Sequence, residues 1–287
     1  MRAVRGSVPV SVRRNLTGGA DSGGGARRRR DPGGDSGQRG KRGSRAEEGD
    51  GVPSRRRDEA EVPRPELPAD ADTSELDREV RKELLTLPKG LADLVGSHLV
   101  AAGHVLDEDP QLALAHARFA RSRAGRVAAV REAAGVAAYH AGEWSEALAE
   151  LRAARRLSGG PGRLAMLADC ERAMGRPEHA LEIARSPEAA QLGTDEAVEL
   201  RIVAAGARRD LGQFDAAVLA LQGPDLEATG SEPWRARLRY AYADNLLAAG
   251  REQDAIRWFL AAADADAEDA TDAGERAIEL SERPGPQ

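Results

Sequence analysis

Aromatic side chains are scarce in this 287-residue chain, with three Phe, three Trp and three Tyr serving its whole length. A core must therefore be assembled from Ala, Leu and Val, a composition that favours close-packed helices over strands. Cysteine is almost missing as well. Cys170 stands alone, which excludes an intramolecular disulfide and points to a reducing compartment, the cytoplasm. No stretch approaches the roughly 18 apolar residues of a membrane span. Val8-Pro9-Val10-Ser11-Val12, flanked by arginines, is far too short for the apolar core of a signal peptide. Neither a membrane anchor nor secretion is expected. Lysine is rare too: of 42 basic residues only Lys41, Lys82 and Lys89 are not arginine. Together with abundant Ala, Gly and Asp, this usage points to a GC-rich bacterial genome.

The net charge of −6 hides a division along the chain. Residues 1–57 carry 15 basic and 6 acidic side chains (+9), and residues 58–287 carry 27 and 42 (−15). Such a chain attracts partners of opposite sign at its two ends. Residues 1–63 are built from glycine clusters and arginine runs with almost no large apolar side chains, so they cannot offset the entropy of ordering and are expected to be a disordered basic tail. Pro63, Pro65 and Pro68 mark an extended linker over 64–73. Ser74, with Asp77 three residues on, then predicts a helix over about 74–86, with Leu76, Val80, Leu84 and Leu87 on one face.

From Pro88 onward apolar residues recur at helical spacing, and the breaks fall at glycine, proline or capping residues. Leu91, Leu94, Val95, Leu99 and Val100 form one helix, and Asp109-Pro110 opens another through Arg123. The helices are short and most turns are tight, so neighbours in sequence should pair as hairpins. Each hairpin can bury its apolar stripe only against the next, which makes internal repetition the decisive test. Gly142, Gly175, Gly212 and Gly250 recur at spacings of 33, 37 and 38, and Ala147, Ala180, Ala217 and Ala255 follow them by five. Upstream, Ala113, Leu114, Ala117 and Ala120 lie 34 residues before Ala147, Leu148, Leu151 and Ala154. Small residues at Gly135 and Ala147 let two backbones approach, Gly142 suits a left-handed helix end, and Trp144 covers the turn.

Residues 128–161 resemble a tetratricopeptide repeat, with Gly135, Gly142, Trp144, Ala147, Leu151 and Ala154 on its pattern. Degenerate copies extend the resemblance over about 88–265. It departs where Arg176-Pro177 and Ser186-Pro187 shorten the third hairpin, and where residues are added near 187–194 and 223–234. The segments LPKGL, VREAAG, LRAARRL, ADCERAMGRPE and LRYAYAD, with the Arg/Gly-rich tail, are similar to those of a group of actinobacterial tetratricopeptide proteins. The resemblance implies an all-α, TPR-like superhelical stack of antiparallel hairpins over 74–283, closed by a capping helix at about 269–282 that includes Ala277, Ile278 and Leu280. It also implies a concave groove lined from the first helix of each hairpin. The matching positions include Glu132, Tyr139, His140, Asp169, Arg172, Arg209, Asp210, Tyr240 and Asp244. Such a groove would hold a protein or peptide partner, with aromatic area and Arg or Asp polarity.

Sequence signals for chemistry are few. His98, His104, His116, His140 and His179 show no metal-ligand spacing, and there is no phosphate-binding loop, nucleophile elbow or dinucleotide fingerprint. No cofactor, metal or catalytic residue is expected, and the chain reads as a non-enzymatic interaction scaffold of the cytoplasm. Cys170, between Asp169 and Glu171, reads as a packed structural cysteine. The tail offers an alternative function: Arg27, Arg28, Arg29, Arg30, Arg39, Lys41, Arg42, Arg55, Arg56 and Arg57 suit electrostatic contact with RNA, although interleaved aromatics are lacking.

Overall fold

A computed structural model describes residues 62–230 and 232–282. The expected tail therefore lies outside the described residues. Among the described residues there are thirteen α-helices, two short 3-10 turns and no strand. None of those helices is long and apolar enough to cross a membrane.

The first helix, α1 (Arg78–Leu84), starts later than the capping pattern at Ser74 predicts. Asp72 accepts hydrogen bonds from both the amide and the hydroxyl of Ser74, at 2.9 and 2.7 Å. This closes a 3-10 turn at Thr73–Glu75. Leu76 is extended and buried, so helix formation restarts at Asp77, whose carboxylate accepts from the Glu79 amide at 2.7 Å. Next come α2 (Lys89–His104), α3 (Pro110–Ala124), α4 (Ala128–His140) and α5 (Trp144–Ser158). Asp109 caps α3 through the Leu112 amide at 3.0 Å, with Pro110 in the first turn where its missing N–H costs nothing.

Prolines and added residues reshape the middle of the chain. Helices α6 (Leu164–Ala173) and α7 (Pro177–Ala184) form a shortened pair followed by the 3-10 turn Pro187–Gln191. Then come α8 (Thr194–Asp210), α9 (Phe214–Leu221) and the single turn α10 (Pro224–Glu227), which takes up the second insertion. Helices α11 (Pro233–Ala248), α12 (Glu252–Ala263) and α13 (Ala273–Ser281) complete the order.

Consecutive helices pack as pairs: α2 with α3, α4 with α5, α6 with α7, α8 with α9, and α11 with α12. The second helix of each pair also packs on the first of the next, and α6, α8 and α11 touch in series. Four turns are built identically. Gly142, Gly175, Gly212 and Gly250 have φ between 73 and 76°, the left-handed conformation that glycine adopts at little cost. At each, the glycine N–H bonds to the carbonyl three residues back, and the next N–H bonds to the carbonyl five back.

The crossings explain the small residues. A Cβ on Gly135 would lie 2.6 Å from Leu151 Cγ and 3.0 Å from the Leu151 backbone nitrogen. Ala168, Ala205 and Ala243 hold the same place before the other three turn glycines, and all are fully buried, as are Ala147, Ala180, Ala217 and Ala255. The buried apolar residues form three clusters along the chain. Helix α8 serves two of them, giving Leu200, Val203 and Ala207 to one and Val198 and Ala205 to the other. The last helix buries Ala273, Ala277 and Leu280 against α12 and leaves Glu275, Ile278 and Glu279 outside.

Candidate partner-binding face

The repeat phase sets which side chains meet between hairpins. Three residues before the turn glycines stand Tyr139, Arg172, Arg209 and Leu247; six before stand Val136, Asp169, Gly206 and Asp244. Tyr139, Arg172 and Arg209 each reach toward the second-group position of the following hairpin. The Tyr139 hydroxyl donates to Asp169 Oδ2 at 2.5 Å. Arg172 donates from Nη1 to Asp169 Oδ1 and from Nε to Asp210 Oδ2, both at 2.7 Å. Gly206 leaves the space this requires, since a Cβ there would lie 2.9 Å from Arg172 Cζ. Arg209 pairs with Asp244 on α11.

A second charged run ends at the last helix. Arg276 of α13 donates to Asp244 Oδ1 at 3.2 Å and to the Tyr240 hydroxyl at 3.1 Å, with its guanidinium 4.8 Å from the Phe259 ring centre. Thus Tyr139, Asp169, Arg172 and Asp210 form one connected run, and Arg209, Asp244 and Tyr240 join another through Arg276. The remaining two positions stand apart. Glu132 accepts from Arg163 Nε at 2.8 Å, and His140 Nδ1 lies 3.8 Å from Asp107 Oδ1.

Burial differs sharply among the nine. Tyr139 is 2% exposed and packs edge-on to Trp144, so its ring supports the turn and only its hydroxyl joins the charged run. Burial, then the Asp169 carboxylate, pushes its ionisation far above the ordinary phenol range, leaving a neutral donor. Burial of Arg172 opposes its charge and is outweighed by Asp210 and Asp169, which raise its pKa. Tyr240 is raised to about 12 by burial and by donating a hydrogen bond to the Asp272 carboxylate. Arg172, Arg209, Asp210 and Asp244 keep between about a quarter and two fifths of their side-chain surface exposed. They present alternating charges already held in ion pairs.

Several polar residues outside the expected set are more deeply placed. Glu150 is buried between Arg121 and Arg131, at 2.5 and 2.8 Å. Glu171, 1% exposed, faces Arg152 at 2.7 Å and Arg176 at 2.6 Å. Glu199 faces Arg237, and His98 lies 2.9 Å from His116 through their Nδ1 atoms. The signal for these was present: each occupies a place in an otherwise apolar helical stripe. Cys170 is fully buried, and burial followed by the Asp169 and Glu171 charges pushes its thiol up to about 12, as its acidic flanks suggest. The ten basic tail positions lie outside the described residues. Comparisons with family models, curated proteins and solved structures find no match to this chain.

Proposed function

We propose that residues 74–283 form a TPR-like, right-handed stack of helical hairpins that acts as a non-enzymatic scaffold and holds a protein or peptide partner on the inner face of its first helices. The observation that carries this reading is the repeat-phased series Tyr139 to Asp169, Arg172 over Gly206 to Asp210, and Arg209 to Asp244. Equivalent positions of successive hairpins meet in one register, as a stack requires. Their partly exposed charges form a polar track already held in ion pairs, and preformed geometry lowers the ordering cost of binding. The test is partner capture by the full chain and by Arg209→Glu, with helicity followed by circular dichroism. Loss of capture with unchanged helicity supports the reading, and equal capture refutes the groove assignment.

A second reading rests on the charge division. The +9 of residues 1–57 against the −15 that follows suits a tail that contacts RNA phosphates. Fluorescence anisotropy with single-stranded RNA compares the full chain with a version beginning at Pro63. This reading requires binding by the full chain alone, weakening steeply as salt rises. Absence of binding by both refutes it.

A further inference from the structure

Between the C-terminal end of α5 and the 3-10 turn Pro187–Gln191 lies an open cleft of about 530 Å³, walled by Arg152, Arg155, Arg156 and Glu188. Its charge runs against its surroundings: three arginines face one glutamate here, while residues 58–287 together carry −15. Gly159 and Gly160 form part of the lining, and beyond their immediate chain neighbours no atom lies within 4 Å of where their Cβ atoms would be, so a ligand has room to approach the backbone.

The three arginines are not equivalent. Arg152 is anchored on Glu171 at 2.7 Å. Arg155 donates to Glu188 Oε1 at 2.5 Å. Arg156 is exposed, and among the described residues no ion pair or hydrogen bond holds its guanidinium. The cleft thus holds one carboxylate, carried in by the 3-10 turn, against more guanidinium charge than it neutralises.

We propose that this cleft is a phosphate-binding site and that the Glu188 carboxylate occupies it in place of the ligand. A carboxylate ligand would merely exchange with Glu188. A phosphate monoester brings more charge and a third acceptor oxygen, so it can engage the forks of Arg155 and Arg156 together and displace Glu188. The phosphate can be carried by a small molecule or by a phosphorylated side chain of a peptide. The cleft shares no residue with the charged runs described above, so its failure would leave the partner-binding reading untouched.

Titration calorimetry of the full chain in phosphate-free buffer tests this, using inorganic phosphate, a short phosphoserine peptide and the same peptide unphosphorylated. Phosphate and phosphopeptide should bind while the unphosphorylated peptide does not, and whichever phosphate binds tighter identifies the source. Arg156→Ala and Arg156→Gln should each weaken binding about tenfold, the scale of one charge-assisted hydrogen-bonded contact. Glu188→Gln should tighten binding, because it removes the competing anion. A purely structural Arg155–Glu188 pair would instead leave affinity unchanged or lower it. No binding by the wild-type chain, unchanged affinity in both Arg156 variants, or unchanged or weaker binding by Glu188→Gln would each overturn the proposal.

Discussion

Arg172 lays its guanidinium over the bare Cα of Gly206, so that a Cβ on that glycine would sit 2.9 Å from Cζ and 3.0 Å from Nη1. The glycine lies within α8, where replacement by alanine normally stabilises a helix by about 1 kcal/mol. With Arg172 tied to Asp169 and Asp210, that gain should be cancelled; in an Arg172→Ala background it should be recovered. A double-mutant cycle by urea denaturation reads the coupling directly. Additive effects would mean that Arg172 does not rest on Gly206.

The crossing of α4 and α5 leaves less freedom. A Cβ on Gly135 meets both the side chain and the backbone nitrogen of Leu151, and a backbone cannot swing aside as a side chain can. Gly135→Ala should therefore destabilise by about 1–3 kcal/mol despite its better helix propensity. The shift in denaturation midpoint measures it, and a gain in stability would contradict the close crossing.

Glu150 bridges Arg121 and Arg131 from a position only 4% exposed. Both arginines keep about a third of their surface in water, so they can rehydrate when the carboxylate is lost. Glu150→Ala should cost about 2 kcal/mol, below the cost of breaking a fully buried pair. Thermal unfolding checks this, and an unchanged midpoint would show that the bridge contributes nothing.

The buried pair His98 and His116 makes folding pH-dependent. Burial, then the neighbouring His116 and Arg64, lowers the His98 pKa from 6.5 to about 4, and burial lowers that of His116. Folded-state values below the unfolded ones mean that the unfolded chain binds more protons in this window. Stability is therefore full above about pH 6.5 and declines as pH falls toward about 4. Denaturation midpoints across that range should show the decline, and His98→Leu/His116→Leu should flatten it. An equal slope in the double variant would place the pH dependence elsewhere.

The sequence made the helices and turns legible because their signals are local. Glycine at four turns, alanine at four crossings and Asp109-Pro110 at a helix start each act within a few residues. The start of α1 was missed because Asp72, outside the capping pattern, takes the Ser74 hydroxyl that would otherwise serve as a cap. The candidate site was legible only as a set of positions. Repeat phase identified Asp169, Arg172, Asp210 and Asp244, but their pairing depends on the distance between hairpins, which no local pattern contains. The same holds for Arg163 and Arg276, which complete the pairs of Glu132 and Asp244 from other elements. Tyr139 shows the converse: a residue placed on the inner face by phase is buried by its contact with Trp144.

The most direct test of the scaffold reading inverts polarity while keeping an ion pair. Arg209 and Arg276 both pair with Asp244, so the exchange Arg209→Asp/Asp244→Arg/Arg276→Glu preserves their attractions and reverses the charges offered to a partner. Immobilised full-length chains, wild type and swapped, would be compared for capture of the same partner, identified by mass spectrometry and then measured with purified protein. The account predicts retained helicity and a clear loss of affinity in the swapped chain. Equal affinity would contradict it, showing that these pairs serve only to join the helices.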